Sequence, residues 1–436
     1  MRVFHCRWRA APSSFAPLPK LVLKLVLMFV LTLVPALVML GIPVQAKAAL
    51  TLDETIEAAR SQAPSLQSQL STLAGAQQQQ RSAATLPDPR LTVGVDNLPI
   101  SGADRLSLTR DFMTMQRLGL MQEVPNRAKR EARGAAASAR VDRERSLLAV
   151  AQLAVKREAT LAWTAVFYAE RRASSLNDLE RENRILQDTL DARVASGKAM
   201  PADRTMARLE ALALADRRDD AQRDVAKARV ALRRWVGARA DEALGGEPPA
   251  NPVQPDAVRS SLQRHADVAP YAPMRAVAQA EAGEAAAETR GDWAWELAYS
   301  RRGPAYGDMV SFQLSFDLPW QKAQAQQPQV AARLSEIRRI DAEREEALRR
   351  LTADVEAQLA DLLALDTQRA RLDGSGQALA LERLALALAS YEAGRGDLAA
   401  VLTARRDAVE ARLRLIDLDA QRAALRARLN HLSTEP

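Results

Sequence analysis

The chain has 436 residues, a formal net charge of +7, one cysteine and only 4% aromatic residues. With Cys6 alone there is no disulfide framework, and three histidines without a G-x-S-x-G or a Gly-rich phosphate loop leave no recognisable catalytic or metal-ligating set. The Ala/Leu/Arg/Glu/Gln-rich composition is that of long helices and coiled coils, and the basic residues alternate with acids, as in Arg143-Glu144-Arg145, which marks solvated helix faces and not a nucleic-acid surface.

The first segment reads as an address. Arg2, Arg7, Arg9 and Lys20 precede an apolar stretch from Leu21 to Leu40, interrupted by Lys24 and Pro35, and Ala46-Lys47-Ala48 follows as an A-x-A site. This predicts a signal peptide over 1–48, with the mature chain starting near Ala49. A retained membrane anchor is the alternative, since the stretch is long enough to span a bilayer. Cys6 precedes that stretch, so it is not placed as a lipid acceptor.

A first unit is expected over 49–244. An amphipathic helix from Asp53 runs into Pro64, and an Ala/Gln-rich helix follows over 66–84. The period then changes to two: Leu91, Val93 and Val95 face one way, and a second strand lies within Ser107 to Val124, where Pro125 stops it. From about 126 to 196, Val141, Leu148, Val155, Ala162, Ala169, Leu176 and Leu190 hold one heptad phase, broken at Asn183. About 70 helical residues span on the order of 100 Å, well beyond a globular domain. The turn Ala195-Ser196-Gly197-Lys198-Ala199 sends a return helix back to Trp235-Val236-Gly237.

A linker over 245–255, rich in glycine and proline, leads to a second unit over 256–436 with the same order of parts. A helix from Ala257 to Tyr271 runs through Pro270, and another follows over 272–290. Trp293, Trp295, Leu297 and Tyr299 then alternate with polar or small residues, as do Val310, Phe312, Leu314 and Phe316, across a turn-rich connection. This predicts a hairpin with one apolar face, lipid-facing or packed on a soluble core. Pro319 ends it, a long helix is expected over 322–391, and Glu392-Ala393-Gly394-Arg395-Gly396-Asp397 turns into a return helix with Leu402, Val409, Ile416 and Ala423 in phase.

Four strands cannot close around a lumen, and an open sheet edge cannot face lipid with its backbone unpaired. Closure therefore calls for other chains, and three copies give twelve strands, an even number in the range of outer-membrane barrels. The ordered set of helix, hairpin, long helix, turn and return helix, with Val124-Pro125, Leu318-Pro319, Arg193-Val194-Ala195-Ser196-Gly197-Lys198 and Tyr391-Glu392-Ala393-Gly394-Arg395-Gly396, resembles the TolC-type outer-membrane efflux protein family over nearly the whole mature chain.

The resemblance implies a homotrimer: a twelve-stranded barrel in the outer membrane, continued by an α-helical coiled-coil barrel across the periplasm. Its tip turns, at Gly197, Lys198, Gly394, Arg395 and Gly396, would meet a periplasmic adaptor and an inner-membrane pump. Such a duct needs no cofactor, is not an enzyme and has no nucleic-acid partner. Related channels carry an acidic constriction ring after the second tip turn; the matching positions are Ala400 and Thr403, which puts that ring in doubt. Asp397 and Asp203 are the nearest acids, each equally suited to capping a return helix.

Pro87-Asp88-Pro89, Gly94-Val95-Asp96-Asn97-Leu98-Pro99 and the run from Met113 to Glu123 resemble members serving heavy-metal pumps. Met113, Met115 and Met121 in that run share a strand parity, as barrel wall or as soft-metal contacts. A drug-efflux or protein-secretion outlet is the alternative cargo, and a periplasmic coiled-coil adaptor the alternative class.

Overall fold

The computed structural model describes residues 49–197 and 199–432; the expected signal peptide, with Cys6, and Lys198 of the first tip turn lie outside the described residues. The first elements are set by local chemistry. Thr51 opens α1 (Leu52–Gln62) with a capping box, its hydroxyl accepting from the Glu54 amide at 3.3 Å while Glu54 accepts from the Thr51 amide at 3.4 Å. Pro64 forces Ala63 into an extended conformation, which ends α1 and starts α2 (Pro64–Ser82).

Strands β1 (Arg90–Asp96) and β2 (Met115–Val124) follow. Pro125 interrupts the ladder, and the Asn126 side chain accepts from the Lys129 amide at 2.9 Å to cap α3 (Arg127–Ala195), 69 uninterrupted residues or about 100 Å of helix. Past the tip, α4 (Pro201–Val236) runs back and ends on Gly237 at φ +61. The linker reaches α5 (Pro255–Ser261), and α6 (Tyr271–Ala287), β3 (Trp293–Arg301), β4 (Met309–Phe316), α7 (Gln327–Arg371), α8 (Gln377–Glu392) and α9 (Leu398–Leu432) complete the order.

Two expected helices are divided. The one over 257–271 stops after a 3-10 turn at Leu262–Arg264, because His265 turns extended and its Nδ1 accepts from the Asp267 amide at 3.1 Å. The one over 322–391 begins with a π-turn, Lys322–Gln326, and carries a second, Leu372–Gly376, between α7 and α8.

The heptad phase read in α3 is its packed seam. Val141, Val155, Ala162, Leu176 and Leu190 are buried, and so is Asn183, where the apolar phase breaks. Arg405 of α9 donates to Asn183 Oδ1 at 3.4 Å and to the Leu179 carbonyl at 3.3 Å, so the polar layer joins two helices instead of interrupting their contact. At mid-height Leu50, Trp163, Val166, Leu232 and Val236 form one apolar cluster. Trp163 lies 36 residues into α3, about 54 Å from the end next to the sheet.

The four strands form a single antiparallel sheet in the order β1-β2-β3-β4. Its outer strands, β1 and β4, each pair on one side only.

Candidate functional site

The register sorts the sheet into two unlike faces. One row across all four strands is Leu91, Leu120, Leu297 and Phe312, and the next is Val93, Leu118, Tyr299 and Val310. Trp295 with Leu314 and Trp293 with Phe316 continue the same face through Gln122 and Val124. All eight aromatic and aliphatic positions expected to share a face do so. They are exposed, apart from half-buried Trp295. Leu91 and Phe312 are 67% and 64% exposed, a degree of apolar exposure that water does not favour across a contiguous patch.

Trp320, in the turn just after β4, is 85% exposed. The nine residues of β3 span about 30 Å along the strand, or about 22 Å upright at the tilt of a membrane barrel, close to the roughly 25 Å height of the lipid-facing band of such barrels. No helix among the described residues is long and apolar enough to cross a membrane.

The opposite face is polar and small. Thr92, Gly119, Ala298 and Ser311 form one row; Gly94, Arg117, Ser300 and Met309 form the next. Arg117 bridges Glu296 at 2.8 Å and Asp96 at 3.6 Å. Gly119 makes room for this network, since a Cβ there would stand 2.5 Å from Thr92 Oγ1 and 2.8 Å from Glu296 Oε1. Met115 and Met121 sit on this polar face, whereas Met113 lies outside β2 in the loop before it. The parity shared by the three methionines is thus a strand relationship for two of them only.

At the far end of the helices, α3, α4, α8 and α9 meet in a cluster of Leu190, Ala207, Tyr391, Leu398, Val401 and Leu402. Gly197 and Gly394 occupy the left-handed region at φ +72 and +71, the conformation that ends α3 and α8 at little cost for glycine. Arg395 and Gly396 are exposed in the turn. Asp397 caps α9, its Oδ1 accepting from the Ala400 amide at 2.8 Å. Asp203 accepts from the Met200 amide at 3.0 Å in the first turn of α4. Ala400 and Thr403 lie three residues apart on an exposed stripe of α9, and the Thr403 hydroxyl donates to the Ala399 carbonyl at 2.8 Å.

Two residues at this end were not singled out from the sequence for a role of their own. Tyr391 is buried with its hydroxyl unpaired, and the Arg193 guanidinium stands 4.8 Å from its ring centroid. Burial raises the Tyr391 phenol above its ordinary value, the nearby Asp203 charge raises it further and Arg193 opposes both. The tip thus gathers an acid, a cation and a buried phenol from α4, α3 and α8.

No family model matches the sequence, and comparison with curated proteins finds no match. Solved structures do match. A membrane protein from Pseudomonas aeruginosa superposes with a TM-score of 0.77 at 18% identity, covering 88% of this chain and 90% of that one. The outer membrane protein VceC of Vibrio cholerae gives 0.74 at 18% identity over 88% and 95%. CusC, whose structures concern folding and transmembrane channel formation, gives 0.73 at 15% identity over 88% and 92%. The chain has the fold of the TolC-type outer-membrane efflux channels.

Proposed function

We propose that three copies of this chain close into one barrel in the outer membrane and act as the passive exit duct of a tripartite efflux system. The observation that carries this reading is the four-stranded sheet with two unpaired edges and one continuous apolar face. In water that face is exposed at a cost, and in lipid the edges would leave backbone groups unpaired; pairing β4 of one copy with β1 of the next removes both problems. The polar face then lines a lumen, and the helices continue the tube through the periplasm. Units 49–244 and 256–436, joined by 245–255, serve as two copies of one building block around that tube.

The helical tips would dock a periplasmic adaptor beneath which an inner-membrane pump supplies the energy. The duct itself performs no chemistry. The tip residues Asp203, Tyr391 and Arg193 form the candidate gate, with the capped Asp397 and the exposed Ala400 and Thr403 beside it. Heavy-metal cations are the proposed cargo on the strength of the segments around Pro87-Asp88-Pro89 and Met113 to Glu123. The fold itself does not choose between metal and other cargo. A periplasmic adaptor leaves the apolar sheet face without a use.

The test is electrical. The mature protein purified from outer membranes and added to planar bilayers is expected to give discrete conductance steps. A chain that inserts without passing current contradicts the duct.

A further inference from the structure

The apolar face of the sheet carries one charged strand residue, and it stands at an end. Beyond the row of Val93, Leu118, Tyr299 and Val310, the next row on that face is Val95, Gln116 and Arg301. The opposite end, nearest the helices, closes without a charge on Val124, Trp293 and Phe316. Arg301 follows Trp293 by eight residues, about 26 Å along the strand or about 19 Å upright at the tilt of a membrane barrel. Its long stem carries the guanidinium further outward, to the edge of an apolar band roughly 25 Å tall.

The arginines of the polar face are paired. Arg117 bridges Glu296 and Asp96, and Arg90 meets Glu123 at 3.2 Å. Among the described residues, neither Arg301 nor its neighbour Arg302 forms an ion pair. Arg302 is nonetheless held in place. Its Nε donates to the Gly307 carbonyl at 2.7 Å and its guanidinium stands 5.8 Å from the Tyr306 ring centroid, which leaves both Nη groups without partners. The one acid of this turn, Asp308, accepts from the Tyr299 hydroxyl and from the Arg302 amide at 3.3 Å, so neutral donors occupy it. Gly303 locks the turn against the loop between β1 and β2, since no Cβ fits between it and the Thr109 carbonyl.

We propose that Arg301 and Arg302 bind the phosphate of a lipid in the outer leaflet, one lipid per chain, with its acyl chains along Tyr299, Val310 and Phe312. This rests on the duct reading, which puts this end of the sheet at the cell surface, and it names a ligand there. A guanidinium meets phosphate through parallel charge-assisted hydrogen bonds, and two of them on a fixed turn lose little freedom in doing so. Free phosphate would satisfy the arginines but leave the apolar rows beneath them uncovered. A lipid phosphate satisfies both.

The full chain purified in mild detergent is titrated with lipid A, a glycolipid bearing two phosphates, and with the same glycolipid stripped of phosphate, and native mass spectrometry counts what is bound. Lipid A is expected at up to one per chain and at least tenfold tighter than the stripped form. Arg301→Gln combined with Arg302→Gln is expected to weaken lipid A at least tenfold. Arg349→Gln combined with Arg350→Gln removes the same charge from exposed positions of α7 and is expected to leave the affinity within twofold. Equal affinity for the two glycolipids, or equal losses in the two double variants, overturns the site. Displacement of lipid A by millimolar inorganic phosphate marks a free-anion site and overturns the lipid. The same spectra count the chains in each particle. A single chain that holds lipid A through these arginines counts against the trimeric duct alone.

Discussion

The Trp163 indole donates a hydrogen bond of 3.0 Å to the Leu50 carbonyl, and both residues are completely buried. The same Leu50 pairs its amide with Ala243 at 2.7 Å and accepts from the Gly245 amide at 3.1 Å. The start of the described chain is therefore stitched between α3 and the segment after α4, about halfway along the helices. Trp163→Phe keeps most of the apolar contact and leaves a buried carbonyl one donor short. The expected loss is about 1–2 kcal/mol, read from the shift of the thermal or denaturant midpoint. Trp163→Ala is expected to cost about 3–5 kcal/mol.

The two sheet faces call for opposite tolerances. Leu297 stands in a row that is apolar across all four strands, so Leu297→Arg is expected to cost about 2–4 kcal/mol in the lipid-embedded barrel and to lower the assembled protein recovered from membranes. Ala298→Ser, one residue away on the polar face beside Ser311, is expected to leave assembly unchanged. Equal effects of the two substitutions would contradict the assignment of the faces.

At the tip, Asp203 supports both the first turn of α4 and the charge balance around Tyr391. An acid at a helix start contributes about 0.5–1 kcal/mol, so Asp203→Ala is expected to loosen the tip and raise opening frequency about two- to fivefold in single-channel records. Asp397→Ala removes a cap at the neighbouring helix, and its effect is expected on stability more than on opening.

His431 gives the stability a pH dependence. Burial first, then the charges of Lys156 and Arg157, push its imidazole down to about 4. In the unfolded chain the ordinary value near 6.5 holds, so the unfolded state binds the extra proton between pH 6.5 and 4. Stability is therefore expected to fall as pH drops through that window, by up to about 3 kcal/mol, and to be unaffected above it. Thermal midpoints compared at pH 7 and 5 in wild type and His431→Gln check this. The variant is expected to lose less on acidification, and an identical loss would contradict the assignment.

Much of this architecture was legible because it rests on periodic burial. The alternation from Trp293 to Tyr299 and from Val310 to Phe316 fixed both strands and their shared face, and the seven-residue spacing from Val141 to Leu190 marked the packed seam of α3. Asn183 looked like a break in that seam, since pairing with Arg405 joins residues 222 positions apart and leaves no local trace. Tyr391 and Arg193 escaped notice as a pair for the same reason. The π-turn at Leu372–Gly376 had a signal, two glycines within a helix, but apolar spacing alone reads through it. The helix over 257–271 failed at His265, where a side chain outcompeted the helical hydrogen bond, an effect that propensity does not carry.

The central claim is that one chain supplies a third of a closed barrel. Light scattering on the protein purified in mild detergent, with the detergent mass subtracted, tests it most directly. The account predicts a particle containing three chains. A monomer or a dimer that is stable in the same detergent would contradict it, because β1 and β4 would then keep their unpaired edges.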